Sequence, residues 1–264
     1  MTARLATTFD RMRTTGRGGL VAYVTAGDPD PGRSSTILDA VAHGGADVIE
    51  VGVPFSDPLA DGPVIQRASE RALAAGMTLR GSLDLIRRFR GSHATPVVLF
   101  TYANPIVRMG TAAFASAARD AGVDGVLVLD YPVEEAAALR APLVDGGLDP
   151  IFLISPTTTD DRIRRSGELG RGFLYVISRL GVTGARETLA DDLPALLSRV
   201  RAQTALPIAA GFGISTPTHV AAACRHADAA VVGSALVEEI ARHADARDLH
   251  GRVAGYVEWL KSEL

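Results

Sequence analysis

Asp47-Val48-Ile49-Glu50-Val51-Gly52-Val53-Pro54-Phe55-Ser56-Asp57-Pro58-Leu59-Ala60-Asp61-Gly62-Pro63-Val64-Ile65-Gln66 begins as a strand and ends as a loop. Val48, Ile49, Val51 and Val53 are apolar and β-branched, the residue type that fits a pleated, buried surface. Pro54 and Pro58 cannot donate to a ladder and stop the strand. Glu50 breaks the apolar run, and a charge there is costly unless something uses it. Strand side chains alternate, so Glu50 shares a face with Val48 and Gly52, opposite Ile49, Val51 and Val53. The bulkier set should meet helices, which turns Glu50 inward and predicts a pKa raised from ~4.3 toward roughly 6–7 by desolvation. The plain alternative for Glu50 is a structural ion pair or a sheet-edge charge. Asp57 and Asp61 follow, so three carboxylates leave one strand end.

Working outward, a unit recurs. Gly44-Gly45-Ala46-Asp47, Ala121-Gly122-Val123-Asp124, Gly146-Gly147-Leu148-Asp149 and His226-Ala227-Asp228 each close a helical pattern and precede an apolar run. Further runs at Leu20–Thr25, Pro96–Tyr102, Phe173–Ile177 and Pro207–Ala210 bring the expected strands to eight. Helical patterns lie between them: Arg33–His43, Val64–Ala75 with Leu79–Arg90, Ala112–Asp120, Glu134–Leu143, Asp160–Leu169, Leu189–Arg201, Pro217–Cys224 and Ala235–Arg242. A last helix is expected at Gly251–Leu264, and Leu5, Phe9 and Met12 predict a short amphipathic helix near the start. Strands alternating with helices imply parallel pairing, and eight units close into an α/β, (β/α)8 TIM barrel. It carries an extra N-terminal helix and an extra helix after strand 2. An open doubly wound sheet would place a Gly-rich turn after the first strand, and Ala26-Gly27-Asp28-Pro29 is not one. One domain over residues 1–264 is expected.

The bulk numbers remove other classes. Of 264 residues, 47% are hydrophobic and 22% charged, ordinary for a globular protein, and a net charge of −3 offers nucleic acid or an anionic membrane no attraction. The lone Cys224 fits a reducing, cytoplasmic compartment and reads as a small apolar helix residue. Met1–Gly19 has no signal-peptide core, and no apolar run approaches membrane-spanning length.

A barrel holds its site at the carboxyl ends of its strands. Those ends carry Asp28, Glu50 to Asp61, Asn104, Asp130, Ser155 to Thr158, Ser178 to Gly184, Gly211 to Gly213, and Gly233-Ser234. The glycines after strands seven and eight, with Ser234 where a helix begins, predict a phosphate site. Gly181-Val182-Thr183-Gly184 is a loop able to close over it. The only lysine is Lys261 in the last helix, which disfavours a Schiff-base aldolase or a pyridoxal enzyme. His43, His93, His219, His226, His243 and His250 fall on helices or amino-terminal loops, not at strand carboxyl ends, so no histidine metal site is expected and they read as surface or helix-packing residues. What remains is acid–base chemistry by carboxylates on a phosphorylated substrate.

Ile49 to Pro63 resembles the signature of the tryptophan synthase alpha subunit family. Thr25 to Pro29, Tyr102 to Pro105, Ser178 to Gly184 and Gly211 to Ser215 resemble further family blocks in family order. The resemblance implies cleavage of indole-3-glycerol phosphate to indole and glyceraldehyde 3-phosphate. It implies Glu50 as the acid–base glutamate and Asp61 as the partner of the indole N–H, with Tyr175 and Thr183 assisting. Tyr23, Ile65, Phe100, Tyr102 and Phe212 would line the indole slot. Gly184, Gly213, Gly233 and Ser234 would hold the phosphate. It implies no cofactor in this chain and a beta subunit carrying pyridoxal phosphate as partner in an alpha2beta2 assembly. Pro54–Pro58 and Arg179–Arg186 would be the contact and gating segments. Tyr23 stands where Phe is frequent, and Leu129 and Tyr131 where Pro and Leu often appear. A stand-alone indole-releasing lyase, a barrel that only activates a partner, and a sugar-phosphate isomerase are the alternatives.

Overall fold

The computed structural model describes residues 1–177, 192–211 and 213–264. Eight parallel strands close into a barrel in chain order: β1 (Gly19–Thr25), β2 (Val48–Gly52), β3 (Val97–Thr101), β4 (Gly125–Val128), β5 (Asp149–Ile154), β6 (Leu174–Ile177), β7 (Ile208–Gly211) and β8 (Ala229–Val232). The described helices are α1 (Ala3–Thr15), α2 (Pro31–His43), α3 (Pro63–Ala74), α4 (Leu79–Arg90), α5 (Ala103–Met109), α6 (Thr111–Ala121), α7 (Ala136–Asp145), α8 (Asp160–Leu169), α9 (Leu193–Arg201), α10 (Pro217–Cys224), α11 (Ser234–Arg242) and α12 (Leu249–Leu260).

The repeated aspartate has a structural purpose. Asp47, Asp124 and Asp228 each donate their backbone N–H to the carbonyl of a residue at the start of the preceding strand: Leu20, Val97 and Ile208. Each carboxylate then turns back and accepts that same residue's N–H, at 3.0, 2.9 and 2.7 Å. One residue thus satisfies two backbone groups at the barrel's open lower rim, where the ladder would otherwise leave them unpaired. Asp149 departs from the rule: it lies inside β5 and accepts from the Thr2 N–H instead.

Asp124 carries the most. It accepts from Arg4 Nε at 2.8 Å, Arg90 Nη2 at 2.9 Å and Val97 N. Asp124→Ala removes the carboxylate partner of the largely buried Arg90, which keeps only backbone carbonyls, and leaves the buried Val97 N–H without its acceptor; it is expected to lower stability by about 3 kcal/mol in chemical denaturation. A loss under about 1 kcal/mol would mean that the rim needs no such tie.

Alternation along the strands makes two apolar layers. Leu20, Ala22, Val24, Ile49, Val51, Val97 and Leu99 face the helices. Val21, Val48, Val98, Leu127, Ile151, Phe173 and Tyr175 fill the barrel. The amphipathic α1 plugs the lower end with Leu5, Phe9 and Met12, and Phe9 meets Phe173 with ring centroids 5.5 Å apart.

Four boundaries differ from the sequence expectation. The segment Tyr102–Pro105, expected as loop, opens the helix α5. Its Ala103 N–H is capped from another strand's end by Asp130 at 2.7 Å, and Pro105 sits in the first turn, where no N–H is needed. An extra helix therefore follows strand 3 as well as strand 2. Helix α7 starts at Ala136, not Glu134, and continues past Pro142 to Asp145. Asp248 caps α12 through Gly251 N, so that helix starts at Leu249 and ends at Leu260. The expected start of the ninth helix at Leu189 lies outside the described residues; the described helix begins at Leu193.

Candidate active site

The inner faces of β1, β2, β3 and β6 deliver one group of side chains to the upper end of the barrel. Tyr23, Glu50 and Val98 are in register across β1, β2 and β3. Glu50 is 1% exposed, and neither of its carboxylate oxygens has a hydrogen-bond partner among the described residues. A structural ion pair is thereby ruled out among the described residues, and a closed barrel has no sheet edge for a charge to occupy. Burial, with the Asp61 charge second, pushes Glu50 up to about 8. The shift is in the expected direction and exceeds roughly 6–7, because a second acid adds its field to desolvation.

Asp61 reaches the same space from the β2–α3 loop and is 6% exposed. Tyr102 Oη donates to its Oδ2 at 2.9 Å and accepts from the Ala60 N–H at 3.1 Å. Gln66 Nε2 holds the Asp61 carbonyl at 2.8 Å. Burial raises Asp61 to about 6, with the Tyr102 hydrogen bond pulling the other way. Near neutrality the two carboxyls are therefore split, Glu50 protonated and Asp61 ionised.

Aromatic rings wall this space. Tyr23 meets Phe100 edge-on at 5.3 Å, and Ile65 packs in the same cluster. Tyr102 stacks on Phe55 at 4.9 Å. Tyr175 is buried among the inner residues, and burial holds its phenol well above the usual range. Two glycines make room for the tyrosines. A Cβ on Gly52 would lie 2.1 Å from Tyr23 Oη, and one on Gly211 2.9 Å from Tyr175 Oη. Sequence reasoning assigned Gly211 to ligand approach; the space it leaves is filled by Tyr175. It gave Gly52 no role, although an isolated glycine inside a strand signals close approach. Asp130, the cap of α5, also went unrecognised.

Gly213 adopts φ 80°, a conformation that favours glycine. Gly233 precedes α11, Ser234 is its buried first residue, and Gly233 lies 3.7 Å (from an added Cβ) from Tyr23 Cβ. The strand ends that carry Gly213 and Gly233 are neighbours, so these backbone groups border the aromatic slot. Thr183, Gly184 and Phe212, and the loop segment Arg179–Arg186, lie outside the described residues.

A cavity of about 1040 Å³ opens at the opposite end, beside α1 and the strands' amino ends. Its Arg4, Arg11 and Lys261 are engaged by Asp124 and Asp47, and none of the residues above lines it. Lys261 donates to Asp47 at 2.7 Å and to the Gly45 carbonyl, so it is far from Glu50.

With this geometry in view, comparison with known proteins is decisive. The sequence profile of the tryptophan synthase alpha chain matches residues 9–260. The chain belongs to the tryptophan synthase alpha chain family. It is 54% identical over 261 residues to the tryptophan synthase alpha chain of Burkholderia thailandensis, covering 96% of this chain and 95% of that one. The fold matches the tryptophan synthase subunit alpha of Legionella pneumophila with a TM-score of 0.90 at 37% identity, covering 100% of this chain and 98% of that one. It matches a chain of Mycobacterium tuberculosis tryptophan synthase with a TM-score of 0.92 at 35% identity, covering 100% of this chain and 98% of that one. As a family member the chain is a lyase. It catalyses the alpha reaction of L-tryptophan biosynthesis, the cleavage of indole-3-glycerol phosphate to indole and glyceraldehyde 3-phosphate. The family implies a beta-subunit partner. No described helix is long and apolar enough to cross a membrane.

Proposed function

We propose that Glu50 is the proton donor and acceptor of this lyase and Asp61 its fixed negative charge. The observation that carries this reading is the buried Glu50, without a hydrogen-bond partner among the described residues, beside Asp61. Glu50 gives its proton to C3 of the indole ring, and positive charge develops toward the ring nitrogen. Asp61 accepts the ring N–H and stabilises that charge. Glu50, now a carboxylate, takes the proton of the side-chain hydroxyl adjacent to C3. The carbon–carbon bond breaks, its electron pair returns to the ring, and the hydroxyl carbon leaves as the aldehyde. Glu50 ends the cycle protonated, as it began.

Tyr175 assists catalysis beside Glu50. Tyr23, Ile65, Phe100, Tyr102 and Phe212 form the indole slot, with Thr183 placing the substrate. Gly184, Gly213, Gly233 and Ser234 hold the phosphate through backbone N–H groups and the start of α11. The chain works as one domain over residues 1–264, in the cytoplasm, without a cofactor of its own. Its partner is a pyridoxal phosphate-dependent beta subunit in an alpha2beta2 assembly. Leu59, 90% exposed on the β2–α3 loop, supports docking at this rim. Indole release by the purified chain, with and without a beta subunit, tests this reading. Cleavage stimulated by the subunit is expected, and absence of cleavage in both would overturn it.

Tyr102 should tune Asp61. Tyr102→Phe removes a hydrogen bond that favours the ionised form, so the acid limb of the kcat/KM profile should move upward from about 6 by roughly one pH unit. An unmoved limb would show that Asp61 does not govern it.

A further inference from the structure

The histidines, for which sequence alone predicts no metal site, include three that converge on one carboxylate. Asp39 and His43 lie one turn apart near the end of α2, and His250 lies in the first turn of α12, 211 residues from Asp39. His43 Nδ1 is 3.2 Å and His250 Nε2 2.9 Å from Asp39 Oδ2. His93, from the segment between α4 and β3, holds the other oxygen, Oδ1, at 2.6 Å, and its ring stacks on Phe89 at 4.6 Å. The rings of His43 and His250 meet with centroids 5.3 Å apart.

We propose that Asp39 Oδ2, His43 Nδ1 and His250 Nε2 form a binding site for a divalent transition metal of the zinc class, clipping α12 to α2. Two imidazoles and a carboxylate are a ligand set that zinc favours. The three ligand atoms lie within 4.8 Å of one another. Ligand atoms in a tetrahedral zinc site stand about 3.3 Å apart, so the two N–O separations need little adjustment. The carboxylate is held in place for a cation: His93 Nε2 engages its other oxygen, Oδ1, at 2.6 Å. His93 thereby acts as the outer partner that orients a ligating carboxylate. The side chains of Asp39, His43 and His250 are 41%, 58% and 40% exposed, leaving access for the ion and a fourth position for water.

The site is structural. It sits at the end of α2 that feeds β2 from the lower rim, away from Glu50. Helices α2 and α12 already pack closely, so an ion would fasten the end of the chain to an early helix. On binding, His43 exchanges its 3.0 Å contact with the Asp39 carbonyl for the metal.

The test uses the full chain, free of any affinity tag and washed with chelator. Zinc chloride titrated calorimetrically should bind at one ion per chain, and cobalt should give the absorption of a tetrahedral site. At a hundredfold excess over Kd, zinc should raise Tm by roughly 5–10 °C. His93→Gln should weaken zinc roughly 10–100-fold. His43→Asn with His250→Asn should abolish binding, while their unliganded melting and circular dichroism show that the variants fold. His226→Asn, outside the cluster, should change nothing. Absence of saturable zinc binding, or equal binding by the His43→Asn, His250→Asn double variant, would overturn the proposal.

Discussion

Glu50→Gln is expected to yield a protein that is more stable than its parent and almost devoid of cleavage activity. The activity loss should reach roughly 10³–10⁴-fold in kcat, since one group both gives and takes the proton. The stability gain has a definite pH signature. Unfolded, Glu50 ionises near its ordinary value of 4.5; folded, it does so at about 8. Between those values the unfolded chain has lost a proton that the folded chain keeps, so rising pH favours unfolding. The penalty is absent below the lower value and complete above the upper one. At pH 7, about 2.5 units above the lower value, it amounts to about 3 kcal/mol. Glutamine fills the same space and cannot ionise. Its Tm advantage should therefore be small at pH 5 and grow to roughly 5–10 °C at pH 8. Binding of inorganic phosphate should be retained. Paired thermal melts at the two pH values and an indole-release assay decide the matter. A pH-independent Tm difference, or cleavage near the parental rate, would refute the role given to Glu50.

Asp61→Asn should lower kcat/KM by roughly 10²–10³-fold, the usual loss when one preorganised group facing transition-state charge is removed. The change in profile is more diagnostic than the loss. The parent should show a bell, with an acid limb near Asp61's value of about 6 and a basic limb near Glu50's value of about 8. Without the Asp61 carboxylate the acid limb should vanish. The basic limb should move below about 8, because Asp61's charge is one of the two causes that raise Glu50. A full pH–rate profile of the variant measures both. Persistence of the acid limb would assign it to another group and remove Asp61 from the charge-stabilising role.

Much of the barrel was legible one residue at a time. Eight apolar runs separated by helical patterns were enough for the topology, because strand and helix periodicities belong to neighbours in the chain. The same alternation correctly turned Glu50 inward, opposite Ile49 and Val51. Less legible was how these pieces supplement each other. The local cue in Asn104-Pro105 favours a turn, yet α5 forms because Asp130 caps it from 27 residues away. The aspartates before the strands were visible as a repeat, but not as acceptors for the preceding strand's N–H groups.

Sequence by itself therefore determined the strand count, the parallel closure and which acid faces inward. Only the tertiary structure decided that Glu50 has no described partner, that Tyr102 holds Asp61 from 41 residues away, and that His43 and His250 share one carboxylate. The division has one physical cause. Periodicity and propensity act over a few residues, whereas desolvation and charge act through space, between groups that the chain order keeps apart.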